Sequence, residues 1–252
     1  MASVCAAEPA PRLRVLSYNI HYGQGNDGVY DIRRLAQVIA ETQADLVGLQ
    51  EVDVGVRRSG QVHQAQRLAE LTGMSVRFGP TQHYEGGLFG NAVLSRLPIL
   101  DVAIHPLPYT ESSEELVTYP RGAIAVIVQT AGDAKFRFVS THFQHNVAKD
   151  RLAEAKQINE LFANNASLPT LLAGDMNATP ESEPIVELVK SWSNASDDPP
   201  SPSAPSAQPR VRIDYLFYRP AVSWKLLDAR VIDEPMASDH CPVLAEFELL
   251  AK

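Results

Sequence analysis

The chain has 252 residues, of which 45% are hydrophobic and 21% are charged, a composition typical of a globular domain with a sizeable core. Its formal net charge of −8 argues against broad, sequence-independent DNA binding, which depends on phosphate neutralisation, although a local basic groove stays open. No stretch approaches the roughly 18 consecutive apolar residues of a transmembrane helix.

The composition of the first residues predicts a tail rather than a folded element. Residues 1–11 are expected to be disordered, and residues 12–252 to form a single domain. The tail lacks the charged and apolar regions of a signal peptide, but its small residues also fit the remnant of a cleavage region. A secreted or periplasmic location is therefore expected if it is such a remnant, and a cytoplasmic one otherwise. Cys5, in the tail, and Cys241 are not expected to form a structural disulfide.

The start of the domain has the pattern of a βαβ-like unit. Alternating apolar residues predict a strand over Leu13–His21, and Asp31 is expected to cap the helix that follows. A buried strand is predicted over Asp45–Glu51. Asn19 and Glu51 therefore stand at two strand ends.

A glycine motif between these strands resembles a dinucleotide-binding fingerprint. Gly23, Gly25 and Gly28 match G-x-G-x-x-G, after a strand and before a helix. However, Asp27 would place a negative charge beside the pyrophosphate, and the helix begins near Asp31, beyond the third glycine. A dinucleotide-binding oxidoreductase is thus an alternative that the motif's own residues disfavour.

The rest of the chain continues with helices and strands in alternation. Helices are predicted over Gln64–Thr72, Lys149–Phe162 and Glu183–Lys190. Strands are predicted over Gly90–Ile99, Ala123–Thr130, Phe136–His142, Thr170–Gly174, Val211–Arg219, Trp224–Val231 and Val243–Leu249. Residues 197–209 are rich in Pro and Ser and lack the apolar content to pack, which predicts an exposed surface loop.

Polar residues of catalytic type recur at the strand ends. They are Asn19, Glu51, Asn91, His142, Asp175 with Asn177, and Asp239 with His240. Alternation along an extended chain would project Asp175 and Asn177 to the same face. Carboxylate and amide oxygens suit Mg²⁺ or Mn²⁺. Because the chain has no C-x-x-C, G-x-S-x-G or P-loop motif, the predicted nucleophile is a metal-activated water.

Together these motifs resemble the endonuclease/exonuclease/phosphatase superfamily, the DNase I-like proteins, from about Arg12 to Glu248. The matching segments are Tyr18-Asn19, Leu49–Glu51, Asn91–Arg96, Ser140–His142, Gly174–Asn177, Arg212–Tyr215 and Ser238–His240. The resemblance implies an α/β fold of the α+β type: a four-layer α/β/β/α sandwich, in which two mixed β-sheets pack face to face with helices outside.

The resemblance also implies a role for each matching residue. Glu51, Asn19 and Asp239 would bind the metal. Asp175 would orient or deprotonate the attacking water, Asn177 would contact water or phosphate, and Asp214 would hold His240 against the scissile phosphate. His142 would stabilise charge on the phosphoryl oxygens. Arg121 is predicted as a phosphate clamp because of its fork geometry, with Arg58 and Asn91 as further phosphate contacts. His21 stands where the DNA-repair branch of the family has an acid, which disfavours an abasic-site endonuclease.

These observations predict a Mg²⁺- or Mn²⁺-dependent hydrolase of phosphoric esters, either a phosphodiesterase or a phosphatase. Small soluble esters or lipid head groups are the expected partners, and a monomer is the expected state. An endo- or exonuclease stays open if Arg57, Arg58, Arg210 and Arg212 line a local groove. The alternative of another class is a non-catalytic binding module of the same fold. Such a module usually lacks some of the acids of the site, whereas here the set of acids is complete.

Overall fold

The computed structural model describes residues 10–164 and 168–250. Most of the predicted tail, residues 1–9 with Cys5, lies outside the described residues. None of the helices in the described ranges has the length and apolar character needed to cross a membrane.

Strands dominate the described part of the chain. They are β1 (Arg12–Asn19), β2 (Leu46–Val54), β3 (Ser75–Tyr84), β4 (Gly87–Ser95), β5 (Ile99–Pro106), β6 (Gly122–Gln129), β7 (Lys135–His142), β8 (Thr170–Asp175), β9 (Ser193–Ala195), β10 (Asp214–Arg219), β11 (Trp224–Val231) and β12 (Val243–Leu249). The α-helices are α1 (Ile32–Thr42), α2 (Gln64–Thr72), α3 (Ala148–Phe162) and α4 (Glu183–Leu188).

Across the described ranges these strands form two mixed six-stranded sheets. The first has the order β11-β12-β1-β2-β4-β3 and the second β5-β6-β7-β8-β10-β9. Each sheet contains one parallel pair, β1 with β2 and β7 with β8, among antiparallel neighbours. A parallel pair needs a crossover connection, and α1 and α3 provide the two crossovers.

The sheets pack face to face, and helices cover both outer faces. One buried cluster joins the inner faces, with Val15 and Phe247 from the first sheet against Phe138 and Leu171 from the second. A second cluster packs α1 and α2 on the first sheet, and a third packs α3 and α4 on the second. The described chain is therefore the four-layer α/β/β/α sandwich that the sequence predicts.

Local signals placed the start of α1 and the end of α2 correctly, whereas α4 ends at Leu188 and not at Lys190 as predicted. The Asp31 side chain accepts hydrogen bonds from the backbone N–H groups of Arg33 and Arg34, so it caps α1 as predicted. Gly73 follows α2 in the left-handed conformation, with a φ of 67°, that favours glycine. Since Asp31 occupies the N-terminus of α1, the G-x-G-x-x-G loop presents no free helix end to a pyrophosphate.

The sheet prediction was wrong in several places, one of which is the short strand β9, which was not predicted. The predicted strand over Gly90–Ile99 is the end of β4 and the first residue of β5, separated by a turn. β3 was not predicted, because Gly79 and Pro80 interrupt its alternation, and most of β5 was missed because its side chains are largely exposed at a sheet edge.

The Pro-rich segment is irregular, as predicted, but it is not uniformly exposed. Ser203 is 0% exposed, Ser206 is 1% exposed, and Ala204 is also buried. The backbone N–H of Cys241 donates to the Ser203 carbonyl at 2.7 Å, and that of Ser206 donates to the Asp239 carbonyl at 2.7 Å. The segment therefore packs against the loop that carries Asp239 and His240, because hydrogen bonds replace the apolar contacts that it lacks.

Candidate active site

Most of the predicted site residues meet at one end of the sandwich. In the second sheet, β8 lies between β7 and β10, and the register pairs Asp175 with His142 on one side and with Asp214 on the other. Because β10 is antiparallel to β8, its first residue lies beside the last residue of β8. In the facing sheet, the parallel β1 and β2 place Asn19, at the end of β1, beside Gln50 in the middle of β2, so Glu51 does not stand at a strand end as predicted.

Asp175 lies at the centre of this cluster and links the two sheets. Its Oδ2 accepts a hydrogen bond from Asn19 Nδ2 at 3.0 Å, and its Oδ1 accepts from the backbone N–H of Asn177 at 2.9 Å. Burial, followed by the charge of Asp214, raises the pKa of Asp175 to about 7. A carboxyl group with such a pKa can exchange a proton near neutral pH.

A break in the regularity of β2 directs Glu51. The pairing of β2 with β4 changes register between Leu49 and Val52, and Glu51 has a φ of 57°. A bulge of this kind re-aims a side chain, and left-handed backbone at a residue other than glycine is concentrated at functional sites. Glu51 Oε1 accepts from Asn19 Nδ2 at 3.2 Å, so the Asn19 amide lies between two carboxylates.

His240 is held from behind by Asp214. The Nδ1 of His240 donates to Asp214 Oδ2 at 2.9 Å, and its Nε2 is 3.8 Å from Asp175 Oδ2 and 4.0 Å from Asp239 Oδ1. Burial disfavours the imidazolium, but the charges of Asp214 and Asp175 outweigh burial and hold the pKa of His240 well above its ordinary value. A charged His240 can donate Nε2–H to an anion in the cleft.

The surroundings of His142, unlike those of His240, disfavour the charged form of the ring. Arg121 Nη1 donates to His142 Nδ1 at 3.1 Å. The Asn177 Nδ2 lies 3.0 Å from His142 Nε2, so donors face both ring nitrogens, and Nε2 is 3.5 Å from Asp175 Oδ2. Burial and then the charge of Arg121 lower the pKa of His142 well below its ordinary value. The His142 ring is therefore neutral.

Arg121 is a buried cation without a salt bridge in the described part of the chain. It is 6% exposed, its Nη1 and Nη2 lie 3.1 Å and 3.5 Å from His142 and His145, and its Nε has no partner. Burial lowers the pKa of Arg121. The structure holds this charge at the cleft without neutralising it, which suits an anionic ligand.

The other predicted phosphate contacts differ in position. Asn177 reaches the site through a left-handed turn (φ 47°), not through strand alternation, and its Nδ2 lies 3.0 Å from both His142 Nε2 and the Phe143 carbonyl. Arg58 lines the cleft. Asn91 is only 2% exposed, is absent from the cleft lining, and donates to the Gly122 carbonyl at 2.9 Å, so it supports the backbone beside Arg121.

A cleft of about 280 Å³ opens over this cluster. Its floor is formed by Glu51, Asp175, Asn177, His142 and His240. Its other lining residues are Arg58, Gln82, Tyr84, Phe89, Tyr119, Arg121 and His145. The unpredicted residues among these belong mostly to β3 and β4, whose hairpin the sequence did not reveal.

The oxygen donors at the floor fit a hard divalent cation. The Asn19 Nδ2 group donates to both the Glu51 and the Asp175 carboxylate. The Asp175, Asp214 and His240 group also has donor atoms within 4.8 Å of one another, but a direct hydrogen bond occupies Asp214 Oδ2 and His240 Nδ1. Carboxylate oxygens with amide groups beside them favour Mg²⁺ or Mn²⁺ over softer metals.

Ser203 is a site residue that the sequence did not indicate, since nothing distinguishes it from the other serines of a Pro-rich segment. Its Oγ donates to Asp214 Oδ2 at 2.6 Å and lies 3.2 Å from the backbone nitrogens of Ile213 and Asp214, which donate to it. One hydroxyl therefore orients the carboxylate that orients His240.

Replacing Ser203 with alanine is expected to lower kcat about tenfold with little change in KM, because one hydrogen bond to the Asp214 carboxylate is lost. Ser203→Thr retains the hydroxyl and should recover most of the activity. Ser201→Ala is the matched control, because Ser201 lies in the same loop but bonds Asp197. Equal losses in the two alanine variants would contradict a specific role for Ser203.

Glu154 on α3 supports the wall next to Arg121. It is 0% exposed, and its Oε2 accepts from the backbone N–H of Gln144 at 2.9 Å. Burial raises the pKa of Glu154 from 4.5 to about 8. The folded state therefore binds a proton that the unfolded state has released, so this contribution to stability is complete below pH 4.5 and is lost as the pH rises towards 8.

Glu154→Gln should remove this pH dependence. We expect urea denaturation to show the free energy of unfolding of the wild type falling, relative to that of the variant, between pH 5 and pH 8. Comparing the wild type with the variant cancels the contributions of the other titrating groups to the free energy of unfolding. A constant difference across this range would contradict the raised pKa.

The arginines that a nuclease groove would need are mostly engaged elsewhere. Arg212 is 4% exposed and bonds the Asp214 and Ser201 carbonyls and Asp197. Arg57 and Arg210 are exposed but do not line the cleft. Arg58 pairs with buried Asp53. The row of cleft arginines that the nuclease alternative would need is therefore not formed in the described part of the chain.

Comparison with solved structures gives the same fold. The chain is 25% identical to an endonuclease/exonuclease/phosphatase from Beutenbergia cavernae DSM 12333, over 94% of this chain and 72% of that one, with a TM-score of 0.77. It is 20% identical to a mannosyl-6-phosphatase of Bacteroides thetaiotaomicron VPI-5482 (95% and 100% coverage, TM-score 0.74). It is 15% identical to ANGEL2, a 2′,3′-cyclic phosphatase (94% and 95% coverage, TM-score 0.72).

The model of the Endonuclease/Exonuclease/phosphatase family matches residues 16–240, which include the predicted site residues from Asn19 to His240. The match, the fold and the sequence motifs agree: the chain belongs to the endonuclease/exonuclease/phosphatase family.

Proposed function

We propose that this protein is a divalent-metal-dependent hydrolase of phosphoric esters. The observation that carries the proposal is the convergence on Asp175. A carboxyl group with a raised pKa, at the end of β8 in the second sheet, meets Asn19 and His240 from the first sheet and His142 from its own, and the Asn19 amide also bonds Glu51. Family relatives named as phosphatases support the reaction class, but those relatives differ in substrate.

The chain's own groups can serve in-line attack at phosphorus. Asp175 accepts a proton from the attacking water, since its pKa lies near neutrality. Arg121, the neutral His142 and the charged His240 surround the position where negative charge grows on the phosphoryl oxygens. Asp214 keeps His240 in its donating orientation, and Ser203 keeps Asp214 in place.

Glu51, Asn19 and Asp239 are the residues proposed to hold Mg²⁺ or Mn²⁺. When bound, the ion supplies Lewis-acid stabilisation and a more acidic water. Asp53 and Glu154 are not proposed as metal ligands, because Asp53 pairs with Arg58 and Glu154 accepts a hydrogen bond from the backbone N–H of Gln144.

The test is a hydrolysis assay of the purified protein in Mg²⁺, Mn²⁺ or EDTA. The panel contains a hexose 6-phosphate, an inositol phosphate, glycerophospholipids, sphingomyelin, bis-p-nitrophenyl phosphate and plasmid DNA. We expect turnover of at least one ester with metal, none in EDTA, and a loss of about 10³-fold in His240→Ala. His83→Ala is the matched control, since His83 is exposed and absent from the cleft lining.

Four outcomes would overturn or redirect parts of this proposal. Turnover that survives His240→Ala would place the chemistry elsewhere. Turnover in EDTA would exclude the metal dependence. No turnover of any ester, together with no binding of Mn²⁺ in titration calorimetry, would leave a binding module of the same fold. DNA cleavage in preference to the small esters would indicate the nuclease alternative.

A further inference from the structure

One wall of the cleft has no part in the proposed chemistry. Arg58, Gln82, Tyr84 and Phe89, which we call the hairpin wall, line the cleft on the side formed by β3, β4 and the loop after β2. The phosphate-binding groups lie apart from this wall, at Arg121 and the floor. The hairpin wall is therefore placed to contact the organic part of an ester.

Arg58 in this wall is neutralised by a carboxylate and held in place between aromatic rings. Its Nε and Nη2 donate to the two carboxylate oxygens of Asp53 at 2.9 Å and 3.0 Å, and Asp53 is 0% exposed. Its guanidinium carbon lies 3.6 Å from the ring centroid of Tyr22 and 4.5 Å from that of Tyr84. The ion pair carries no net charge, so this side of the cleft has little attraction for a second phosphate. Arg58 thus contrasts with Arg121, which forms no salt bridge in the described residues.

The remaining groups of the hairpin wall combine apolar ring faces with neutral donors and acceptors. Phe89 and Tyr84 present aromatic rings to the cleft. No hydrogen bond occupies the Gln82 amide, the Tyr84 hydroxyl or the Nη1 of Arg58 in residues 10–164 and 168–250. Such a surface matches a ring with apolar faces and hydroxyl groups at its edge.

The cleft is also small. At about 280 Å³ it has room for a phosphoryl group and one ring, and it is near the lower limit of ligand pockets. A polynucleotide would in addition need a row of unpaired cations along its backbone. Of the arginines considered for that row, only Arg58 lines the cleft, and it is already paired.

We propose, on the basis of the hydrolase function above, that the substrate is a phosphate ester of a single sugar or cyclic polyol. It carries one phosphoryl group, which binds at Arg121 and the floor of the cleft. Its ring packs on Tyr84 and Phe89, and its hydroxyls bond Gln82 and the Nη1 of Arg58. Gln82 and Tyr84 determine specificity.

The experiment compares kcat/KM for a hexose 6-phosphate with that for methyl phosphate, which has the phosphoryl group but no ring. Wild-type protein should prefer the hexose ester, and this preference should fall about tenfold or more in both Tyr84→Ala and Gln82→Ala. His83→Ala is the matched control: His83 lies between these two residues in β3, is exposed, and should retain the wild-type preference.

Arg58 is left intact in this test, because removing it would leave the buried Asp53 carboxylate without its partner. Folding of each variant is checked by its thermal unfolding midpoint. An unchanged preference in both variants would overturn the role of the hairpin wall while the hydrolase function stands. Preference for bisphosphorylated esters or DNA would overturn the substrate class. No turnover of any ester by the wild type would overturn the hydrolase function and this inference with it.

Discussion

Replacing Asp175 with asparagine is expected to lower kcat on the preferred phosphate ester by about 10³-fold, because the amide cannot accept a proton from the attacking water. The substitution keeps the shape of the side chain and can keep the hydrogen bond from the backbone of Asn177. The protein should remain folded without divalent ions, since burial already disfavours the ionised form of Asp175 and the amide is neutral.

Steady-state kinetics and thermal unfolding of the same samples check this prediction. Asp133→Asn is the matched control, because Asp133 is exposed in the turn between β6 and β7 and its φ of 64° is one that asparagine adopts readily. If Asp175→Asn retained more than a tenth of wild-type kcat, the proposed proton acceptor would be wrong. A large loss of the unfolding midpoint would mean that the lost activity reports misfolding.

Replacing Arg121 with methionine is expected to separate activity from stability. Activity should fall by about 10²- to 10³-fold, because a cationic donor is removed from the position of the phosphoryl oxygens. The unfolding midpoint without ligand should not fall, because the folded environment disfavours the buried guanidinium, as the lowered pKa of Arg121 indicates. Function, not stability, would then explain why a cation is held there.

Ligand-dependent stability provides a second measurement for Arg121. Inorganic phosphate should raise the unfolding midpoint of the wild type, since a ligand that binds the folded state stabilises it, and should have little effect on Arg121→Met. Arg137→Met is the matched control: Arg137 is also partly buried, with an Nη1 that lacks a partner in the described residues, but it is absent from the cleft lining. Equal stabilisation of both variants by phosphate would show that Arg121 does not bind the anion.

Much of the architecture can be predicted from the sequence because its signals are local. A strand or helix with one buried face repeats its apolar residues with its own period, and Asp31 and Gly73 mark helix ends through bonds and backbone conformations within a few residues. The order of the polar motifs indicated the family, and the family implied the two sheets. Strands were missed where local signals failed, at Gly79-Pro80 in β3 and at the exposed edge strand β5.

The sequence by itself determined that Asn19, His142 and Asp175 stand at strand ends, but only the tertiary structure decided what each of them touches. Asn19 bonds Asp175 across 156 positions, through the packing of one sheet on the other. Ser203 is buried behind Asp214, and Asp53 neutralises Arg58. Both contacts depend on how two loops pack against those sheets. Contacts of this kind depend on sheet register and on the free energy of burying polar groups, which no local periodicity encodes.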